Sequence, residues 1–274
     1  MADSYEPCAF CPQLCRHVCP VAVATGREAA TPAKMMTAVL LARRGLLPPI
    51  EAAEAAALCT DCGACQEHCK YGIEVPRLLA EARNAYASAV QPQPLGEIDG
   101  EGQQVAIECD GRPWAAALAR QLDQPTARLE TCDHLGWALL EHRERAAAHL
   151  TRLHALLAGR RAVTSCGHCR AVLDAARIGH AWLADLVPPS WTGPVHPCHG
   201  HGEMPGVPIR DPLACCGAHG PLQRIHPSLA ADVAKEAATR LPSTTVATAD
   251  ATCRNALRGA GATVVDPIDL LIDP

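Results

Sequence analysis

Aromatic residues are scarce in this sequence. Its 274 residues include one Phe, three Tyr and four Trp, so a buried core must consist mainly of Ala, Leu and Val side chains. The longest apolar runs, such as residues 35–42, are far shorter than the roughly 18 residues of a membrane-spanning helix. The formal net charge of −5 leaves no excess of basic residues of the kind that binds nucleic acid. We therefore expect neither a nucleic-acid partner nor direct insertion into a membrane.

The N-terminus also lacks the features of a secretory signal. Asp3 and Glu6 lie where such a signal carries basic and then apolar residues. This predicts a cytoplasmic protein, with any peripheral association at a membrane made through a partner. Charged residues, at 19%, and hydrophobic residues, at 49%, occur in the proportions of a folded chain rather than a disordered one.

Cysteine, in contrast, is abundant, with 16 residues. Disulfides are rare in the cytoplasm, so clustered cysteines there more often bind metal or carry out redox chemistry. One half of them form two runs: Cys8, Cys11, Cys15 and Cys19, and then Cys59, Cys62, Cys65 and Cys69. The second run has the C-x2-C-x2-C-x3-C spacing of bacterial ferredoxins, whose cysteines hold [4Fe–4S] clusters. We therefore predict two [4Fe–4S] clusters in the N-terminal part of the chain.

In ferredoxins of this type, the last cysteine of each run binds the other cluster. The predicted ligands are Cys8, Cys11, Cys15 and Cys69 for the first cluster and Cys59, Cys62, Cys65 and Cys19 for the second. Two details depart from the usual pattern: an extra residue precedes Cys15, and Lys70 stands where a proline ordinarily follows the run. A structural zinc site is the alternative, but such sites prefer two separated cysteine pairs.

Helices are predicted around these runs. Thr31 and Pro32 are typical of a helix start and Gly45 of a helix end, so a helix is predicted over 33–44. The other predicted segments are helices over 51–58 and 76–90 and a Pro- and Gly-rich linker over 91–102. Cysteine runs placed between helices resemble the α-helical ferredoxin domain, which occurs in succinate dehydrogenase iron–sulfur subunits and in heterodisulfide reductase.

The C-terminal part contains a repeat. When residues 131–173 are shifted by 84 positions, cysteine falls on cysteine and threonine on threonine, as in Cys132 on Cys216, Thr164 on Thr248 and Cys169 on Cys253. An upstream cysteine follows a short β-like stretch in each copy, Cys109 in the first and Cys198 in the second. The predicted elements are strands over 161–164 and 245–248 and helices over 135–158, 170–186 and 227–240. These patterns indicate a duplicated α/β domain.

The second copy contains Cys215, Cys216 and Gly217 in succession, and with Cys198 and Cys253 it resembles the cysteine-rich CCG domain. That domain occurs in heterodisulfide reductase and in the iron–sulfur subunits of anaerobic glycerol-3-phosphate dehydrogenase and glycolate oxidase. The order of domains resembles that of the latter subunits. The expected fold is α + α/β: an α-helical two-cluster ferredoxin domain over 1–90, the linker over 91–102, and CCG repeats over 103–187 and 188–274.

The resemblance implies one or two further metal centres. The first would be held by Cys109, Cys132, Cys166 and Cys169, and the second by Cys198, Cys215, Cys216 and Cys253. The five-cysteine pattern of the family is incomplete, because Thr131 and Asp250 each replace one cysteine. Asp250 is either an additional ligand of the second centre or the N-cap of a helix that begins at Ala251. The alternatives for these centres are cubane, noncubane or [2Fe–2S] clusters, or one zinc ion.

The function that the resemblance implies is electron transfer within a multi-subunit oxidoreductase. The chain would carry electrons between a flavoprotein or dehydrogenase subunit and a quinone, reached through a membrane quinone-reactive subunit, or another carrier. The alternative is a catalytic disulfide or thiol reductase with its active centre in the second CCG repeat. The sequence has no glycine-rich dinucleotide motif after a strand and no C-x2-C-H motif. We therefore expect neither flavin nor haem on this chain.

Overall fold

The computed structural model describes residues 5–12, 15–83, 95–108, 112–130, 143–186, 191–196, 207–208, 211–218 and 220–272. The chain forms two compact units. The first, named the helical unit, comprises Met1–Val90, Arg210–Pro242 and Ala256–Ala262. The second, named the α/β unit, comprises Gln91–Ile209, Ser243–Asn255 and Thr263–Pro274.

The helices of the described residues are numbered in chain order. They are α1 (Tyr5–Ala9), α2 (Pro20–Thr25), α3 (Pro32–Arg43), α4 (Pro49–Ala56), α5 (Ala64–Glu67), α6 (Val75–Ala82), α7 (Ala115–Leu122), α8 (Arg143–Leu157), α9 (Gly167–Ala176), α10 (Leu183–Leu186), α11 (Leu222–Ile225), α12 (Pro227–Thr239), α13 (Ala251–Gly259) and α14 (Pro267–Ile272). Short 3-10 turns occur at Arg16–Val18, Glu28–Ala30 and Pro212–Ala214. Among the described helices, none combines the length and the apolar character needed to span a bilayer.

The strands of the described residues are also numbered in chain order. They are β1 (Ile98–Asp99), β2 (Gln104–Ile107), β3 (Thr126–Leu129), β4 (Arg161–Thr164), β5 (His180–Trp182), β6 (Pro194–Val195), β7 (Val207–Pro208), β8 (Thr245–Ala247) and β9 (Thr263–Val265). All of them belong to the α/β unit. The described chain therefore has a helical N-terminal region followed by mixed helix and sheet, as the sequence predicted.

The N-terminal helices begin where the sequence favours a helix start. Proline occupies the first turn of α2, α3, α4 and α6, where its missing N–H would have had no partner and its fixed φ suits the helix. The helices predicted over 33–44 and 51–58 are confirmed as α3 and α4, with their ends displaced by at most two residues. The described part of the helix predicted over 76–90 is α6, and residues 84–90 lie outside the described residues.

The core of the helical unit consists of small and flexible apolar side chains, as the scarcity of aromatic residues requires. Met36 of α3, Ala56 of α4 and Leu79 of α6 are fully buried and belong to one cluster. Cys59 and Cys65 belong to the same cluster. Cys8 belongs to it as well, so three of the predicted metal ligands lie in the apolar core.

A segment from the C-terminal half completes the helical unit. Helix α12 packs against α2, with Leu229 and Val233 in the same buried cluster as Val21 and Ala22. This segment was predicted to belong to the second CCG repeat, so the compact units do not follow the predicted domain boundaries. A sequence repeat and a compact unit are different divisions of a chain, and the repeat boundaries stay a prediction.

The first sheet of the α/β unit has the strand order β1-β3-β2-β4-β5. Strand β2 pairs in parallel with β3 and β4, β4 pairs in parallel with β5, and β1 is an antiparallel edge. Val105, Ala106 and Val163 of the inner strands are fully buried, as expected for a parallel sheet that is covered on both faces. Strand β1 lies within the segment that was predicted to be a linker, and its pairing with β3 makes this segment part of the sheet.

The second sheet has the order β7-β6-β8-β9, and all of its strands are parallel. Apart from the edge strand β1, both sheets therefore arrange the four strands of their own repeat in the order second, first, third, fourth. The predicted strands over 161–164 and 245–248 are confirmed as β4 and β8.

The three other predicted helices have different outcomes. The helix predicted over 170–186 is wrong, because α9 ends at Ala176, Arg177 adopts a φ of +55°, and β5 then pairs with β4 before α10 begins. The helix predicted over 227–240 is confirmed as α12. The described part of the helix predicted over 135–158 is α8, and residues 135–142 lie outside the described residues.

Candidate metal centres

The cysteines predicted to hold the first cluster are named here the first quartet: Cys8, Cys11, Cys15 and Cys69. Cys8 lies in α1 and is buried, whereas the other three are partly exposed. Burial raises the pKa of the Cys8 thiol to about 12, and the thiols of Cys15, Cys11 and Cys69 add to the effect because they lie near it. The thiols of Cys11, Cys15 and Cys69 therefore lie near enough to Cys8 to act on its pKa.

The second quartet comprises Cys59, Cys62, Cys65 and Cys19, and all four are buried. Burial raises the pKa of Cys19 to about 12; the backbone N–H groups of Ala22 and Val21 lower it, while the Cys62 thiol raises it. The pKa of Cys65 is raised first by burial, then by the thiols of Cys62 and Cys19, and then by those of Cys15 and Cys8. The thiols of Cys62 and Cys19, and those of Cys15 and Cys8 from the first quartet, therefore lie near enough to Cys65 to act on its pKa.

These shifts have a chemical consequence for metal binding. A raised pKa keeps the thiol protonated, whereas the thiolate is the form that binds metal. Loading either quartet therefore releases protons, and the positive charge of the metal replaces them. The donor set of four thiols in each quartet fits a [4Fe–4S] cluster.

The loop that carries Cys59 and Cys62 is shaped by two residues with a positive φ. Asp61 has a φ of +54° and Gly63 a φ of +77°; glycine adopts this conformation at no steric cost, and Asp is one of the few other residues that tolerate it. The turn directs the backbone N–H of Asp61 to the Sγ of Cys59, at 3.3 Å. The loop thus supplies a hydrogen bond to the sulfur of a predicted ligand.

A cleft of about 780 Å³ opens beside the first quartet. It is lined by Pro12, Arg16, His17, Ala22, Val23, Gly26, His68 and Lys70. The rings of His17 and His68 meet edge to face with their centroids 4.8 Å apart, and Arg16 pairs with Glu28 at 2.6 Å. Arg16 and Lys70 are sequence neighbours of Cys15 and Cys69, so cationic groups stand next to the more exposed quartet.

The predicted centre of the first CCG repeat is described only in part, because Cys109 and Cys132 lie outside the described residues. Cys166 lies two residues after the end of β4 and occupies the N-cap position of α9, and Cys169 lies in the first turn of that helix. Cys166 is fully buried, whereas Cys169 is partly exposed. Both thiols stand at the positive end of a helix dipole, which favours an anionic sulfur.

The predicted ligands of the second CCG centre are described only in part. Cys198 lies outside the described residues, Cys216 is a buried residue of the helical unit, and Cys253 lies in α13 within the α/β unit. Cys215 packs against Cys62 and Ala64, and its Sγ lies 4.0 Å from the Thr60 hydroxyl. Cys215 therefore stands beside the second quartet, a contact that the sequence did not predict.

Asp250 makes the hydrogen bonds of an N-cap. One carboxylate oxygen, Oδ1, accepts from the backbone N–H of Thr252 at 2.8 Å and of Cys253 at 3.0 Å, and from the Thr252 hydroxyl. The other oxygen accepts from the backbone N–H of Gly167 at 2.7 Å. The side chain is fully buried, and both of its oxygens are engaged at the starts of α13 and α9, which is the arrangement that the capping alternative predicts.

Arg83 is a residue near the quartets that sequence reasoning missed. It directly follows α6, and its guanidinium binds the carboxylate of Asp61 in the cysteine loop through two nitrogens. An arginine after a short helix has no sequence feature that distinguishes it from a solvent-exposed one. Only the tertiary fold shows that it is buried.

Among the described residues, no group of three or more His, Cys, Asp or Glu side chains converges as a single metal ion requires. A [4Fe–4S] cluster makes a different demand, because each of its four thiolates binds a separate iron. The sulfurs of a quartet then surround the cluster and do not meet at one point.

Comparison with known families places this site in a class. Residues 4–73 match the family model described as the 4Fe-4S dicluster domain, and this segment contains both quartets. The predicted binding of [4Fe–4S] is thereby confirmed, and the chain is an iron–sulfur protein with a ferredoxin-like N-terminal region. Neither curated proteins nor solved structures gave a match.

Proposed function

We propose that the chain is an iron–sulfur electron-transfer subunit of a multi-subunit oxidoreductase. The observation that carries this proposal is the assembly of two cysteine quartets within the segment that matches a dicluster domain. The first cluster is assigned to Cys8, Cys11, Cys15 and Cys69, and the second to Cys59, Cys62, Cys65 and Cys19. When bound, each cluster supplies a centre that is reversibly reduced by one electron.

The residues around the quartets give them different tasks. All four cysteines of the second quartet are buried, and Cys59 and Cys65 pack with buried methionine and alanine side chains. The first quartet has partly exposed thiols and the cationic cleft beside it. We therefore assign exchange with an external redox partner to the first quartet and internal transfer to the second.

The proposal extends to a duplicated CCG domain that holds one or two further iron–sulfur centres, or one zinc ion. When the edge strand β1 is set aside, both sheets have the same strand order. Equivalent threonines also make equivalent contacts. Thr164 Oγ1 accepts from the backbone N–H of Cys166 at 3.1 Å, and Thr248 Oγ1 accepts from that of Asp250 at 3.4 Å. These relations follow the 84-residue shift and support the duplication.

The contact between Cys215 and Cys62 supports a continuous route. Cys62 is assigned to the second cluster, and Cys215 precedes Cys216, which is assigned to the second CCG centre. An electron leaving the second quartet would thus cross one van der Waals contact and then follow covalent bonds. Asp250 stands where the family pattern has a cysteine, and both of its oxygens are engaged in capping helices. One thiolate that disulfide reduction requires is therefore missing, which counts against the alternative of a disulfide reductase.

The partners follow from the resemblance in domain order. We propose a flavoprotein or dehydrogenase subunit at one end of the route. At the other end we propose a quinone, reached through a membrane subunit, or another carrier. Flavin and haem are assigned to these partners and not to this chain.

Iron and acid-labile sulfide analysis of the full chain, purified without oxygen, tests the proposal. Two clusters correspond to about eight irons per chain and four to about 16, and dithionite reduction should give the electron paramagnetic resonance (EPR) spectra of reduced [4Fe–4S] centres. Zinc in place of iron, or no iron after anaerobic reconstitution, would overturn the proposal. About eight irons would retain the electron-transfer assignment and remove the CCG clusters from it.

A further inference from the structure

An arginine outside the matched family segment is buried against the cysteine loop. The side chain of Arg83 is 1% exposed. Its Nη1 donates to Asp61 Oδ1 at 3.1 Å and to the backbone carbonyl of Ala56 at 3.3 Å, and its Nη2 donates to Asp61 Oδ2 at 2.7 Å. Such a two-pronged contact fixes both the position and the orientation of the carboxylate.

The partner of Arg83 occupies a strained position. Asp61 stands between Cys59 and Cys62 with a φ of +54°, a left-handed conformation that Asp tolerates but that still costs energy relative to glycine. In this conformation its backbone N–H points at the Sγ of Cys59, at 3.3 Å. The two hydrogen bonds from Arg83 therefore hold the turn in which the Asp61 N–H donates to the sulfur of a predicted cluster ligand.

Close packing restrains the other side of the loop. Gly220 has a φ of +68°, and a Cβ at this position would lie 2.8 Å from the Cys59 carbonyl oxygen and 2.9 Å from Asp61 Oδ2. The Asp61 carboxylate thus contacts Arg83 on one side and the backbone of Gly220 on the other. The loop has little room to change its conformation when its charges change.

The two charged groups act on the same sulfur with opposite signs. Asp61 donates its backbone N–H to the Sγ of Cys59 at 3.3 Å and holds the Arg83 guanidinium on its carboxylate, so an anion and a cation both stand beside this ligand. Burying an ion pair brings little net stability, since the desolvation of both groups offsets their attraction. A contribution to folding alone therefore does not account well for this pair.

We infer that Arg83 is a positioning residue that sets the reduction potential of the cluster held by the second quartet, through its ion pair with Asp61. This inference rests on the proposed function, in which that cluster is reduced by one electron. Reduction adds one negative charge to the cluster, so a nearby cation favours the reduced form and a nearby anion opposes it. The intact pair nearly cancels the two influences and fixes the N–H donor on Cys59.

Variants that remove one charge at a time test this assignment by anaerobic redox titration monitored by EPR. Arg83→Met leaves the carboxylate alone and should make reduction of the second cluster harder, and Asp61→Asn leaves the guanidinium alone and should make it easier. A unit charge about 10 Å away at an effective dielectric constant of 20 changes the reduction equilibrium by about tenfold. For a one-electron couple, tenfold corresponds to about 59 mV. The double variant should return close to the wild-type potential.

Two references make the result specific. The first-quartet cluster serves as an internal reference and should shift much less in each variant. Arg77→Met removes an exposed arginine of α6, the helix that Arg83 follows. Arg77 is paired with Glu74 and Glu81, and its removal should leave both potentials unchanged. Opposite shifts for the two single variants are the decisive sign, because a merely structural ion pair would weaken folding in both without this pattern.

The outcomes separate this inference from the proposed function. If wild type contains two reducible clusters but Arg83→Met and Asp61→Asn shift the second potential in one direction or not at all, the inference is wrong and the electron-transfer assignment stands. If wild type takes up no cluster, the proposed function itself fails. Should Arg83→Met not fold, Asp61→Asn, which keeps the size of the side chain, must still raise the potential of the second cluster.

Discussion

The two cysteine quartets of the helical unit differ in their surroundings. The first has three partly exposed thiols and a cleft with arginine, lysine and two histidines beside it. The second is buried, and the carboxylate of Asp61 on its loop is paired with Arg83, which follows α6. In the function that we propose, these similar ligand sets serve as an outer and an inner electron-transfer site, because access differs at one and local charge at the other.

Removal of a ligand from each quartet should show the largest difference between them. Cys62→Ser is expected to lose about four irons per chain. It should also lower the stability of the helical unit by roughly 4 kcal/mol, because the loss of a buried metal site is among the most destabilising changes. Cys11→Ser is the matched control at a partly exposed position, and it should lose a similar amount of iron with a smaller loss of stability. Iron analysis and anaerobic thermal unfolding measure both; equal destabilisation would erase the distinction between inner and outer sites.

A pair of glycine variants probes the packing of the two sites. Gly220→Ala should destabilise the protein by about 3 kcal/mol, because the new methyl group meets the Cys59 carbonyl in addition to the strain of a positive φ. Gly26→Ala, beside the outer site, carries a similar φ of +63° but no atom within 4 Å of the new Cβ, so only about 1 kcal/mol is expected. Anaerobic denaturant unfolding gives both values. Comparable losses would mean that the loop of the second quartet can move aside.

Oxidation by hexacyanoferrate(III), an anion, should distinguish the sites kinetically. The first-quartet cluster is expected to react faster because its thiols are exposed and cations line the cleft. Lys70→Glu should slow that phase several-fold at low ionic strength and much less at high salt, since screening removes long-range attraction. Lys34→Glu, an exposed lysine of α3, serves as the control in stopped-flow measurements. A single phase that is insensitive to Lys70→Glu would count against the outer assignment.

The smallest expected effect concerns pH. His226 precedes α12, which packs on the helix that begins after Cys19. Burial lowers the pKa of His226, Glu54 opposes the shift and Arg27 adds to it. A lowered pKa means that the unfolded chain binds the proton more tightly, so stability should fall slightly as the pH drops below the unfolded value of about 6.5. Denaturant unfolding at several pH values should show a weaker slope in His226→Gln; an identical slope would assign the pH dependence to other groups.

The features that could be predicted from the sequence are those encoded locally. The cysteine spacing indicated the cluster-binding segment, and the residues around Thr31 and Gly45 gave α3 nearly its observed ends. The strand 161–164 was also apparent from a short run of branched and small residues before a cysteine. In each case, the deciding interactions lie within a few residues of one another.

The features that were missed depend on contacts between distant residues. Residues 180–182 form a strand because β4 offers them a pairing edge, although their composition suits a helix equally well. The burial of Arg83 and the position of Cys215 against Cys62 both require helices and loops far apart in sequence to meet. No local pattern distinguishes these residues from surface arginines or from other metal-binding cysteines.

The carboxylate of Asp250 also bears on how the protein matures in the cell. It joins the starts of α9 and α13 by hydrogen bonds to Gly167, Thr252 and Cys253, and these bonds need no metal. We therefore expect the joint between the two sheets to be complete before any iron is delivered, whereas the helical unit should gain further stability when its thiols release their protons to metal. Under iron limitation, the α/β unit should be the part of the chain that resists proteolysis before clusters are inserted into the helical unit.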